Sequence, residues 1–64
     1  MLKSFSNYIT FTDVDGDFVV IRKSAITDFC VDGNVINIGI GDSCYDLPKS
    51  EFTCVDDVID KIFY

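Results

Sequence analysis

Sixty-four residues with eleven acidic and five basic side chains, a formal net charge of −6, describe one small acidic domain. Because nucleic acids and anionic membranes are bound mainly through lysine and arginine, this charge disfavours direct binding to either. A hydrophobic fraction of 48% with six Phe and three Tyr excludes a disordered chain. A domain this short is marginally stable alone, so we expect a further source of stability.

The cysteines and the absence of histidine limit the chemistry that we expect. Cys30, Cys44 and Cys54 are widely spaced and odd in number, which fits neither a disulfide framework nor a zinc site. We expect reduced, part-buried thiols in a cytoplasmic protein, since no signal peptide and no apolar run of about 18 residues is found. Without histidine the commonest general base is missing. We therefore predict that the protein is not an enzyme and uses no cofactor.

From Tyr8 to Leu47 the apolar pattern is that of short strands separated by turn residues. The strand-like runs are "YITFTDV", "DFVVI", "ITDFCV", "NVINIGI" and "SCYDL". They predict a meander of four to five antiparallel strands, about residues 8–47, in one small, strongly bent sheet. In the fourth run Ile36, Ile38 and Ile40 share a face, which we expect to be buried.

The stretch "DVDGD", residues 13–17, begins like a calcium-binding loop. An EF-hand loop needs glycine at its sixth position and glutamate at its twelfth, where this chain has Phe18 and Ser24. Asp15 and Gly16 fit instead as the central pair of a type I′ turn. We predict a hairpin tip here, a second one in "VDGNV", and no metal site in either.

Gly39 and Gly41 superficially suggest a phosphate-binding loop. Such loops need further glycines and a helix that opens directly after them, whereas the next residues here continue as strand. We predict that Gly39 marks a bulge or the close approach of a neighbouring backbone.

After "LPKSEF" the apolar period becomes helical. The apolar residues at helical spacing are Val55, Val58, Ile59, Ile62 and Phe63. They predict a helix over about residues 53–64, with Thr53 as N-cap and Asp56 as its capping partner. The predicted fold is α+β, a single domain of residues 1–64 with this helix packed on one face of the sheet.

The run "DFVVI" is apolar on both of its faces. If Val19 and Ile21 pack under the helix, Phe18 and Val20 lie on the opposite face, where Tyr8 can join them. An exposed apolar patch of this kind marks an interface. We predict a homo-oligomer with Tyr8, Phe18 and Val20 in the interface.

A second group of residues would suit a nucleotide ligand in pockets between subunits. Tyr8 or Tyr45 would stack on the base. Arg22, Lys23 or Lys49 would hold the phosphate.

The order of the elements resembles that of the small bacterial flagellar and swarming-motility (FlbD-like) family and of similar small phage-encoded proteins. The resemblance lies in a strand ending in "DG", a second strand, the segment "SAITDF", a hairpin and a terminal helix "VDDVIDKI". It implies a regulatory role and carries over no catalytic residue. The leading hypothesis is a small regulatory or inhibitory protein, phage-encoded, that engages a host protein in anti-defence or host takeover. The alternatives are an oligomeric sponge that sequesters a nucleotide signal and an acidic mimic of nucleic acid.

Overall fold

The computed structural model describes residues 1–63, which form six strands and one α-helix. In chain order these elements are β1 (Lys3–Ser4), β2 (Tyr8–Thr12), β3 (Phe18–Arg22), β4 (Asp28–Asp32), β5 (Val35–Ile40), β6 (Ser43–Pro48) and α1 (Val55–Phe63). Two short 3-10 turns, Lys23–Ala25 and Lys49–Glu51, follow β3 and β6. The predicted α+β class and the C-terminal helix are confirmed.

The strands form two antiparallel three-stranded sheets, in the orders β1–β2–β3 and β4–β5–β6, where the sequence predicted a single sheet of four to five strands. The division falls at the turn Lys23–Ala25. There the N–H of Lys23 donates to the carbonyl of Asn7 and the N–H of Ile26 donates to that of Lys23, so the backbone coils away from β3. The residues "RKSA" signal a turn, but local sequence does not say which sheet the next strand joins. The two-residue β1 is too short to produce an alternating pattern.

The tip between β2 and β3 is a hairpin, as predicted, but it is not a type I′ turn. Asp13 N–H donates to Asp17 O at 2.9 Å, and Gly16 N–H donates to Asp13 O at 3.0 Å. Gly16 has a φ of 88°, whereas among residues 1–63 no residue other than glycine has a positive φ, which excludes the type I′ geometry at Asp15. The tip is a three-residue loop, a type I turn closed by a left-handed glycine.

The two tips of the second sheet are two-residue turns that begin with glycine. Gly33 joins β4 to β5 and Gly41 joins β5 to β6, each with a φ of 60°. The residue that follows each glycine does not have a positive φ, and this pattern is that of a type II′ hairpin turn. The hairpin predicted in "VDGNV" is confirmed.

Gly39 lies inside β5, and its missing side chain makes room for a neighbour. A Cβ added at Gly39 would stand 2.9 Å from Cβ of Asp28, its partner on β4. The predicted close approach therefore comes from a side chain and not from a neighbouring backbone.

A single core joins the inner faces of both sheets to the helix, because β2 contacts β6 and α1 contacts β1 and β2. Its buried residues are Leu2, Ile9, Phe11, Val19, Ile21, Ile36, Ile38, Leu47, Phe52, Val58 and Ile62. Burial of each large apolar side chain contributes about 1.5–3 kcal/mol. The predicted burial of Ile36 and Ile38 is confirmed, and Ile40 is half-buried.

The helix α1 begins at Val55, two residues later than predicted, so Cys54 precedes it in place of Thr53. Neither Thr53 nor Asp56 makes a side-chain hydrogen bond within residues 1–63, and the predicted capping pair is therefore wrong. Phe63 was expected on the buried face but is exposed, with its ring edge-on to Phe29 at 5.8 Å. The predicted end at residue 64 lies outside the described residues. Nothing helical in the described chain is long and apolar enough to span a membrane.

Candidate binding surface

The face of β1–β3 that points away from the core carries exposed apolar side chains. We call it the outer face of β1–β3. Its cross-strand pairs on β2 and β3 are Tyr8–Arg22, Thr10–Val20 and Thr12–Phe18. Phe18 is 71% exposed and Val20 is 58% exposed, although both are hydrophobic. The intervening residues Val19 and Ile21 are buried.

The alternation predicted for "DFVVI" is therefore confirmed, and Tyr8 lies on the same face as Phe18 and Val20. These are the three residues that the sequence assigned to an oligomer interface. Their common placement on one face is a structural fact, whereas their contact with another chain stays a prediction.

Phe5 belongs to this surface and was missed in the sequence. Its ring stacks on Tyr8 with centroids 4.9 Å apart and planes at 28°, and its N–H donates to the carbonyl of Tyr8 at 2.8 Å. Phe5 lies in the bend between β1 and β2, outside any strand period, so alternation gave no indication of its direction. The stack holds the Tyr8 ring in one orientation on the outer face.

Two open grooves lie beside Tyr8. One has a volume of about 360 Å³ and is lined by Asn7, Tyr8, Val20 and Arg22. The other has a volume of about 440 Å³ and reaches from Tyr8 past Thr10 to Phe18. Both grooves combine aromatic surface with polar groups, which suits recognition of a partner that has an apolar part and a polar part.

Glu51 closes the end of the groove of about 440 Å³ and ties its own turn to two other segments, the N-terminal residues and the end of β2. Its carboxylate accepts the N–H of Thr12 at 2.9 Å and lies 3.1 Å from the Met1 amino group. Its carbonyl accepts the N–H of Leu2 at 2.9 Å. The hydrogen bond from Thr12, aided by the positive charge of the amino group and opposed by burial, lowers the pKa of Glu51. This residue fixes the end of β2 and was not identified from the sequence.

Of the five residues predicted to bind a nucleotide, three lie together and two lie elsewhere in the structure. Tyr8 and Arg22 are cross-strand partners in the groove of about 360 Å³, and Lys23 directly follows them in the turn after β3. Tyr45 pairs with buried Ile38 on β5 and packs against the core.

Lys49 is also occupied elsewhere. Its ammonium donates to the carbonyl of Thr53 at 3.1 Å and lies 4.9 Å from the centre of the Phe52 ring. Strand alternation turns Tyr45 inward, and the 3-10 turn after β6 holds Lys49 beside the start of the helix. Tyr8, Arg22 and Lys23 are the part of the predicted set that lies together.

The outer face of β4–β6 has a different character, polar and acidic. Its cross-strand rows are Asp28–Gly39–Cys44, Cys30–Asn37–Asp46 and Asp32–Val35–Pro48. The side-chain amide of Asn37 donates to the carboxylate of Asp46 at 2.9 Å. Within residues 1–63 no three His, Cys, Asp or Glu side chains are grouped to hold a metal ion.

The three cysteines are free and exposed, so the prediction of part-buried thiols is wrong. Cys30 and Cys44 alternate onto the solvent side of their strands, and Cys54 lies just before α1. Cys30 and Cys44 sit on strands that flank β5. Two strand spacings, about 9–10 Å, exceed the reach of a disulfide.

No protein-family profile, curated protein or solved structure matches this chain. Function is therefore inferred from the chemistry of the two outer faces. The resemblance to the flagellar and swarming-motility family stays a prediction.

Proposed function

We propose that this protein is a non-enzymatic regulatory or inhibitory binding protein, whose contact surface for another protein chain is the outer face of β1–β3. The observation that carries the proposal is the exposure of Tyr8, Phe18 and Val20 on one sheet face. Contiguous apolar patches on a protein surface mark interaction sites. The biological setting that we propose is control of a host protein by a small phage or bacterial regulator.

The composition of the outer face supports this role. Aromatic residues and arginine are the residue types that contribute most to binding energy at protein interfaces, and here Phe5, Tyr8, Phe18 and Arg22 occur together. Strand pairing and the Phe5–Tyr8 stack hold these side chains in place before any partner arrives. Preorganisation of this kind reduces the entropic cost of association.

A capture experiment with matched variants tests the proposal. The tagged protein, its Phe18→Asp variant and its Val31→Asp variant are each incubated with bacterial lysate, and bound proteins are identified by mass spectrometry. Val31 is exposed like Phe18 but lies on β4, away from the outer face of β1–β3. We expect a specific partner to bind the wild type and Val31→Asp and to be lost with Phe18→Asp. A partner retained by both variants would contradict the proposed surface.

Sequestration of a nucleotide signal is a second candidate, favoured by the pairing of Tyr8 with Arg22. An aromatic ring and a guanidinium are the two groups that hold a base and a phosphate, and both line the groove of about 360 Å³. Thermal melting with a panel of nucleoside phosphates and cyclic dinucleotides separates this candidate from the first. A bound nucleotide should raise Tm in the wild type and should do so much less with Arg22→Gln or Tyr8→Leu.

A further inference from the structure

The outer face of β1–β3 is complementary to itself, and we propose that a second copy of this chain covers it in a two-fold symmetric dimer. The inference rests on the proposed function, because it assigns a partner to the same face: in the free protein a second copy covers the face, and a host protein binds it only by displacing that copy. In this dimer the strands of one copy run opposite to those of the other. Phe18 of each copy enters the groove of the other copy, and each acidic hairpin tip lies beside the basic end of the other copy.

Shape complementarity is the first argument. Phe18 projects at one end of the outer face, where its exposure of 71% is the highest of the large hydrophobic residues in the described chain. The groove lined by Tyr8, Val20 and Arg22 lies at the other end and has a volume of about 360 Å³. A cavity of about 150 Å³ is enough to hold a benzene ring, so this groove can accept the phenyl group.

Strand register places these two features symmetrically. The Thr10–Val20 pair is midway between Tyr8–Arg22 and Thr12–Phe18. Consider a two-fold axis that lies above this midpoint, between the two copies, parallel to the sheet plane and perpendicular to the strands. Rotation about this axis places Phe18 of each copy over the groove of the other. A two-fold interface requires this relation, in which one contact is made twice with the roles exchanged.

Charge complementarity is the second argument. The tip with Asp13, Asp15 and Asp17 adjoins the Phe18 end of the face, and Arg22 and Lys23 lie at the opposite end. Within residues 1–63 neither basic side chain takes part in an ion pair. Antiparallel stacking brings each tip to the basic end of the second copy. Parallel stacking would set one acidic tip against the other, which like charges disfavour.

The area available is the third argument. A stable, specific interface buries about 800 Å² on each partner, or about one fifth of the 4043 Å² accessible surface of this chain. The domain measures 24 × 24 × 20 Å, so an interface of this size takes up the whole of one broad face together with the side chains at its edges. The acidic outer face of β4–β6 would repel its own copy, so it stays outward on both sides of the dimer.

Light scattering coupled to size exclusion, with Val20→Asp and its matched control Val31→Asp, tests the interface. The wild type and Val31→Asp should elute at micromolar concentration with twice the 7.2 kDa mass of one chain. Val20→Asp should be a monomer, with its dimer Kd raised about tenfold or more. Circular dichroism melting must show that Val20→Asp is folded, and Val20→Ser is the milder substitute if it is not. A monomeric wild type, or a Val20→Ser dimer of unchanged Kd, overturns the inference.

A charge exchange tests the antiparallel arrangement. Arg22→Glu and the double variant Asp15→Lys/Asp17→Lys should each dimerise at least about tenfold more weakly than the wild type, because each sets like charges together at both ends. An equimolar mixture should form a heterodimer, seen by native mass spectrometry, since both ends are then complementary again. Tighter association of the lysine variant alone, or no heterodimer in the mixture, would overturn the arrangement.

The outcomes separate this inference from the proposed function. A monomeric wild type that still captures a partner through Phe18 disproves the dimer and leaves the proposed function standing. A dimer unchanged in Phe18→Asp, together with unchanged capture of the partner, disproves both.

Discussion

The two sheets of this protein have similar inner faces and opposite outer faces. The outer face of β1–β3 presents Tyr8, Phe18 and Val20 to solvent, while the outer face of β4–β6 presents aspartates, thiols and the Asn37 amide. The buried side chains of both inner faces are isoleucine, leucine, valine and phenylalanine. The inner faces thus supply the core that stabilises the fold. The outer faces differ in the kind of surface that they present to their surroundings, apolar on β1–β3 and polar on β4–β6. On a sheet face that contacts only water we expect polar side chains and no cluster of exposed aromatic rings.

Substitutions in the two inner faces should lower stability more than any other change in this comparison. Ile9→Ala in β2 and Ile36→Ala in β5 remove side chains that are fully buried in the two sheets. Each should lower the free energy of unfolding by about 2–5 kcal/mol, since both leave a cavity in one shared core. Urea denaturation measures both changes. A loss below about 1 kcal/mol for one variant would show that its sheet adds little to the core.

Gly39→Ala tests whether the outer face of β4–β6 is tightly packed by contacts within the chain, here the contact between residue 39 and Asp28. The added methyl would meet Asp28 Cβ at 2.9 Å, and overpacking of this kind costs about 1–3 kcal/mol. Urea denaturation gives the loss. The double variant Gly39→Ala/Asp28→Gly removes the clashing atom, so it should lose less stability than the sum of the two single changes. Simple additivity would show that this contact is not the cause.

The ionisation of Glu51 should make the stability of the protein depend on pH, because its carboxylate holds the end of β2 that borders the outer face of β1–β3. Its pKa in the folded chain lies below the ordinary value for glutamate, chiefly because its carboxylate accepts the N–H of Thr12. Its stabilising contribution is therefore complete above the unfolded pKa and is lost as pH falls through the lower folded value. The difference in unfolding free energy between wild type and Glu51→Gln should be constant near neutral pH and should shrink on acidification. A difference independent of pH would contradict this linkage.

The exposed thiols give the smallest expected effect. Cys30→Ser and Cys44→Ser change side chains on the solvent side of β4–β6, so each should alter the free energy of unfolding by less than about 0.5 kcal/mol. A thiol reagent should label all three cysteines of the native protein without denaturant. Slow labelling of Cys30 and Cys44 would show that the outer face of β4–β6 is covered in solution. The two sheets would then no longer differ in whether their outer faces contact another molecule.

Much of the fold follows from periodicity. Alternation separates Val19 and Ile21 from Phe18 and Val20, and helical spacing identifies Val58 and Ile62 as core residues. Each of these predictions depends only on the direction of side chains along one element, which the backbone geometry determines.

Features that depend on the path of bends and loops could not be predicted in this way. The division into two sheets, the stack of Phe5 on Tyr8 and the bridge from Glu51 to Thr12 depend on where bends and loops bring the chain. The dipeptide "DG" at residues 15–16 predicts a type I′ turn, and this type is wrong because "DG" also fits the last two positions of a three-residue loop. For the binding surface, three residues could be identified, whereas Phe5 and the grooves required the folded structure.

The sheet order has a consequence for how the chain folds. Each described strand pairs only with its neighbours in sequence, and every connection inside a sheet is short. Ring closure between near neighbours loses little chain entropy, and proteins with such local contacts fold quickly for their strand content. The two three-stranded units can therefore zip independently. The long-range contacts of β2 with β6 and of α1 with β1 and β2 join these units, so they are the contacts that make folding cooperative.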